Sequence, residues 1–121
     1  MGVRESLRKS AASYLKPGET IQAVIVAQTA SLSRQMMWGT WSGNEYQAII
    51  ATSNRILVLY LGKTANSKPR HIVAQLPRST RLGSPSGLSH LIQVDGEKLW
   101  VPPWYYDDVR AADQAISGVT R

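Results

Sequence analysis

Two periods of apolar residues divide the chain. In the first stretch Val3, Leu7, Ala11 and Tyr14 recur at helical spacing, with Arg4, Arg8 and Lys9 elsewhere on the wheel, and Pro17-Gly18 closes the run. The pattern predicts a short amphipathic helix within residues 1–16. From Glu19 the rhythm changes to "ETIQAVIVAQT", in which Ile21, Ala23, Ile25 and Ala27 alternate with Gln22, Val24, Val26 and Gln28. That is the period of a strand with one face in a core. The runs "YQAIIATS" and "RILVLYLG" follow, separated so closely that a tight hairpin is expected around Ser53 and Asn54. After the polar "GKTANSKPR", the run "HIVAQLPRST" reads as another strand, and Pro77 places its end at a sheet edge or a bulge.

Beyond the loop "LGSPSG", the stretch "LSHLIQVDGEKLWV" carries the clearest local signal, Asp95-Gly96 between two alternating apolar segments. A two-residue turn there sets Val94 opposite Glu97, Ile92 opposite Leu99 and Leu91 opposite Trp100. Ile92, Leu99 and Val101 then share the core side, with Leu91, Gln93, Lys98 and Trp100 on the other. After Pro102-Pro103 the period returns to helical: Tyr105, Val109, Ala112 and Ile116 form one stripe, Asp107 and Asp108 fall in the first turn, and Gly118 is expected to end the helix. The chain thus reads as one mainly β domain over residues 1–121: an N-terminal helix (1–16), six or seven antiparallel strands (19–101) and a C-terminal helix (104–117). Its 121 residues are enough for a single core without staples.

One stretch does not fit that economy. "RQMMWGTWSG", residues 34–43, sets Met36, Met37, Trp38 and Trp41 in a connection between two strands. Connections of that length are uncommon without a function of their own, and methionine and tryptophan are enriched in interface cores. Trp100 and Trp104 are candidates for the same surface.

Charge adds a second feature. The formal net charge is +6, and residues 34–81 hold the excess: Arg34, Arg55, Lys63, Lys68, Arg70, Arg78 and Arg81 against Glu45 alone. If those side chains share a face, it would favour anionic surfaces. The chain contains no cysteine, which excludes disulfides and thiolate chemistry and suits a reducing compartment. The expected location is the cytoplasm, with any membrane contact peripheral and at the inner face, because no stretch approaches the ~20 apolar residues of a span.

Fragments that suggest an active site fail on their own terms. "LYLGKT" ends like a phosphate loop, but Leu57 stands where the first glycine is required and "ANSKP" does not open a helix. Ser6 and Lys9 have the spacing of a serine–lysine pair without the elements that complete one. "GTWSG" and "GSPSG" place serine fourth, not third. His71 and His90 have no ligand-spaced partners. No catalytic residue, metal site or cofactor is expected.

The segments "LKPGETIQAVIVAQTAS", "IIATSNRILVLYLGK", "VAQLPRSTRLG" and "DGEKLWV" before an acidic helix resemble a group of small uncharacterised actinobacterial proteins with a bacterial pleckstrin-homology-like (PH-like) fold. The most specific parts are Thr52-x-x-Arg55 and "LPRSTRLG". The resemblance implies a strongly bent antiparallel sandwich or open barrel with the C-terminal helix plugging one end, and it puts the 34–43 loop between the first and second strands. Eukaryotic lipid-binding members carry a lysine at the end of the first strand and Arg-x-Arg on the second; the matching stretches here, "AQTAS" and "YQAII", contain no basic residue. What the resemblance implies is a scaffold, and function is argued from the site.

Two functions are weighed on these grounds. The first is a non-catalytic interaction module that binds protein, as a homo-oligomer or within a larger assembly, through Met36, Met37, Trp38, Trp41, Trp100 and Trp104. The alternative is peripheral binding to anionic membranes, the same loop dipping into the interface while Arg34, Lys63, Lys68 and Arg70 meet head groups. Nucleic acid ranks below both, because no recognition helix or aromatic-studded RNA motif accompanies the basic residues.

Overall fold

The computed structural model describes residues 3–29, 45–63, 68–85, 87, 89–94 and 97–119. Helix α1 (Val3–Ala11) continues into a 3-10 turn (Ala12–Tyr14). Six strands follow, β1 (Ile21–Gln28), β2 (Tyr46–Thr52), β3 (Arg55–Gly62), β4 (His71–Pro77), β5 (His90–Val94) and β6 (Glu97–Val101). A second 3-10 turn (Pro103–Tyr105) leads into α2 (Tyr106–Val119). The strands form one antiparallel sheet in the order β4-β3-β2-β1-β6-β5, curled as a half-barrel with β4 and β5 at its open edges. The mainly β architecture with a helix at each end is the one expected from the sequence. Gly118 does not end α2, which runs on to Val119.

The register of β5 and β6 is the predicted one: Val94 pairs with Glu97, Ile92 with Leu99 and Leu91 with Trp100. Ile92, Leu99 and Val101 are buried; Leu91, Gln93 and Lys98 are exposed and Trp100 is half-buried. The turn residues Asp95 and Gly96 lie outside the described residues. Pro77 ends β4, which is an edge strand, and the register beside the proline is regular; the strand's one shift lies further back, opposite Val58/Leu59.

The one-faced reading of β1 is corrected. Ala23 to Gln28 are buried without a break, as are Gln47–Thr52 of β2 and Ile56–Leu59 of β3. Cross-strand register separates the two faces. Ile25, Ile49 and Val58 lie across from one another on the inner face. Val24, Ile50 and Leu57 do so on the outer face, where all three are fully buried. Helix α2 belongs to the inner face: Tyr106 meets the ring of His90, whose strand directs Ile92 inward, and Val109 and Ala112 are fully buried. The N-terminal segment crosses the outer face. Arg55, on the outer face with Leu57, donates through Nη1 to Gln75 (2.7 Å) and through Nη2 to the carbonyl of Tyr14 (2.8 Å). The Tyr14 hydroxyl reaches the carbonyl of Pro69 (3.4 Å), and Leu7 and Ala11 above it are fully buried. An uninterrupted apolar run such as "ILVLYL" is what a strand covered on both faces requires.

One end of the sheet is held by a buried ion pair. Glu19, 7 % exposed, accepts from Arg55 Nε (3.0 Å) and Nη2 (3.0 Å), from the Lys16 amide (2.9 Å) and from the Thr52 hydroxyl. The same hydroxyl accepts from the amides of Asn54 (3.2 Å) and Arg55 (3.1 Å), which shapes the β2–β3 hairpin. The Arg55 hydrogen bonds, helped by those of Thr52 and Lys16 and opposed by burial, lower the Glu19 carboxyl from its ordinary value to about 2. The Thr52-x-x-Arg55 motif therefore fastens the N-terminal segment to the sheet. A second clasp lies beyond β4, where Arg78, 8 % exposed, donates to Gln22 Oε1 from Nε (2.9 Å) and Nη2 (2.7 Å) and to the Ala112 carbonyl (2.9 Å). Gln22 sits at the register shift of β1, and the bulge aims its amide at this arginine.

Candidate interaction surface

The end of the sheet opposite the hairpin collects the connections that follow β1 and β3. Antiparallel order dictates this: Gln28 pairs with Tyr46, and Tyr46 with Gly62, so the last residues of β1 and β3 flank the first of β2. The root of the β1–β2 connection is pinched. The Thr29 amide donates to the Glu45 carbonyl (2.9 Å) and the Glu45 amide to the Thr29 hydroxyl (2.9 Å). Glu45 then accepts from the Tyr60 hydroxyl (2.9 Å), and the Tyr60 ring stacks on His71 with centroids 5.0 Å apart. That hydrogen bond, with burial adding to it, holds the Tyr60 hydroxyl above its ordinary pKa. The root of the β3–β4 connection is fixed by the Arg70 amide on the Tyr60 carbonyl (2.8 Å). Gly62 has φ +98°, a conformation that favours glycine, and a Cβ there would stand 3.1 Å from Arg70 Nε, so the arginine packs closely over the strand end.

Of the residues named from the sequence, Lys63, Lys68 and Arg70 are brought together here, flanking the β3–β4 connection, and all three are exposed. Trp100 belongs to the same end, paired with Gln28, the last residue of β1. Trp104 does not. It lies past the end of β6 as that strand runs away from the loops, with its carbonyl accepting from Arg4 Nη2 (2.6 Å) and its side chain among the most exposed apolar groups, 64 % accessible. Arg34, Met36, Met37, Trp38 and Trp41 lie outside the described residues.

The basic excess of residues 34–81 does not form one face. Arg55 and Arg78 are tied into the two internal clasps, and Arg81 stands beyond β4 at the far end of the sheet from Lys63 and Arg70. Burial lowers the Arg78 guanidinium below its ordinary value. Sequence reasoning passed over Glu19 and Gln22 as partners of these arginines, because 36 residues separate Glu19 from Arg55 and 56 separate Gln22 from Arg78. Glu45 had a visible signal as the lone carboxylate in a basic stretch, and its side chain accepts from the Tyr60 hydroxyl.

His71 and His90 lie on the two edge strands, β4 and β5. His71 is occupied by Tyr60, and His90 Nε2 donates to the Leu82 carbonyl (2.6 Å). Among the described residues no group of three or more histidines and carboxylates is arranged to hold a metal ion, and no helix is long and apolar enough to cross a membrane. The chain matches no family model, no curated protein and no solved structure.

Proposed function

We propose that this chain is a non-catalytic interaction module of PH-like architecture that docks a second copy of itself through the loop end of its sheet. The carrying observation is that the β1–β2 connection, bearing Met36, Met37, Trp38 and Trp41, leaves the sheet where β1 meets Trp100 and where the roots of both connections are fixed by Thr29, Glu45, Tyr60 and Arg70. A rigid frame lowers the cost of presenting apolar side chains to a partner. Two buried tryptophans could each contribute ~2 kcal/mol as hot spots. The cytoplasm is the compartment that fits a cysteine-free chain.

The experiment replaces Trp38 and Trp41 together with serine and follows mass by light scattering over a range of concentrations. The parent is expected to associate and the double variant to remain monomeric with its fold intact. A parent that stays monomeric at high concentration removes the self-association reading. Loss of the fold in the variant would make the tryptophans core residues.

A second reading, peripheral binding to anionic membrane, is favoured by the position of Lys63, Lys68 and Arg70 at the same end as that connection. Each basic residue near an anionic surface is worth ~1 kcal/mol. Sedimentation with vesicles would then show strong, salt-sensitive binding that requires anionic lipid; the protein reading predicts little.

A further inference from the structure

The two open edges of the sheet are not equivalent. β4 is guarded: its register is broken opposite Val58/Leu59, and proline ends it. Bulges and prolines are the usual means of stopping a strand edge from pairing with another chain. β5 has neither. Its register with β6 is regular over all five residues, His90 to Val94, and it carries no lysine, arginine or carboxylate.

The hairpin determines which backbone groups that edge displays. With Val94 and Glu97 flanking a two-residue turn, they form a hydrogen-bonded pair, and bonded pairs then alternate through Ile92–Leu99 and His90–Val101. The N–H and C=O groups of Leu91 and Gln93 therefore point away from β6, and no partner for them occurs among the described residues. Beside them runs a groove of about 440 Å³ walled on its far side by Leu76, Arg81 and Leu82. The wall is anchored. The Asp113 carboxylate of α2 accepts from the amides of Leu82 (2.8 Å) and Gly83 (3.0 Å), and His90 Nε2 holds the Leu82 carbonyl. Gly83, at φ +93°, packs so closely on the His90 ring that an added Cβ would lie 3.2 Å from it.

We infer that this groove takes an extended segment of another protein, added antiparallel to β5, with apolar residues alternating with acidic ones. The form of the groove selects the occupant: a single strand fits between β5 and the Leu76–Leu82 wall, whereas a folded second copy would bring its own β6 against that wall. Charge selects its composition. Arg81 lines the groove and no carboxylate does, so acidic side chains are drawn to the wall while the alternate residues cover Leu91, 37 % exposed. This surface adjoins the loop end, because Leu91 pairs with Trp100, but its free backbone edge belongs to β5 and makes no use of the β1–β2 connection.

The test titrates the full-length, isotope-labelled chain with a short acetylated peptide alternating valine and glutamate and follows backbone amide resonances. Saturable shifts are expected at residues 80–83 and 90–94. A lysine-for-glutamate peptide should bind about tenfold more weakly, and N-methylation of the peptide amides that face β5 should abolish binding. Gln93→Pro removes an outward N–H at an edge position and should weaken the glutamate peptide by at least about tenfold. If that variant misfolds, Arg81→Glu supplies an independent reading by reversing the preference toward the lysine peptide. Absence of shifts at millimolar peptide, equal response to both peptides, or shifts confined to residues 62–71 would overturn the inference. So would concentration-dependent shifts along β5 without peptide, which would make a second copy the occupant.

Discussion

The two ends of the sheet use charge in opposite ways. At the hairpin end Arg55 and Glu19 are withdrawn from water; Arg55 spends four of its five N–H donors on Glu19, Tyr14 and Gln75. At the loop end Lys63 and Arg70 are exposed, and the carboxylate closest in sequence, Glu45, is engaged by a tyrosine instead. A buried arginine and carboxylate hold the N-terminal segment over the outer face. Exposed cations beside two fixed loop roots contribute little to folding. The contrast teaches that net charge per segment says little until each side chain has been assigned a partner.

The largest effect that would break this contrast is at the hairpin end. Arg55→Met leaves the Glu19 carboxylate buried without its counter-charge and should cost about 3 kcal/mol in urea denaturation. Adding Glu19→Gln to that variant should recover part of the loss. A cost under about 1 kcal/mol for Arg55→Met would mean that the clasp is not what holds α1.

Acid should act on the same residue. The folded-state carboxyl of Glu19 lies at about 2, below its ordinary 4.5, so its contribution is present above the ordinary value and is lost as pH falls from about 5 toward about 2. The expected loss is on the order of 2 kcal/mol, allowing for screening near the rim of the sheet. Urea midpoints measured across that window should fall in the parent and stay flatter in the double variant. The smallest effect belongs to the loop end: Lys63→Ala and Arg70→Ala should each change stability by under about 0.5 kcal/mol. A larger change at Arg70 would show that its packing on Gly62 is structural.

Much of the fold was legible because its signals are local. Asp95-Gly96 between alternating strands set the β5–β6 register, and the stripe of Tyr105, Val109, Ala112 and Ile116 marked the buried side of α2. What could not be read were the pairings that only folding creates. Nothing near Glu19 marks it as the partner of Arg55, and nothing near Asp113 marks it as the anchor of Leu82 and Gly83. The outer face of β1 is hidden in the alternation because Val24 and Val26, set there between Gln22 and Gln28, are themselves apolar and buried. The candidate surface was half legible: Lys63, Lys68 and Arg70 converge as their sequence proximity suggests, while Trp104 parts from Trp100 because β6 carries it away from the loops.

The division between an end that stabilises and an end proposed to dock is tested most directly by amide hydrogen exchange of the full chain, compared at dilute and concentrated protein. The account predicts concentration-dependent protection in peptides covering residues 28–47 and 60–71, with exchange at residues 50–57 unchanged. Protection that grows at residues 50–57, or at no peptide while light scattering reports a monomer throughout, would contradict it.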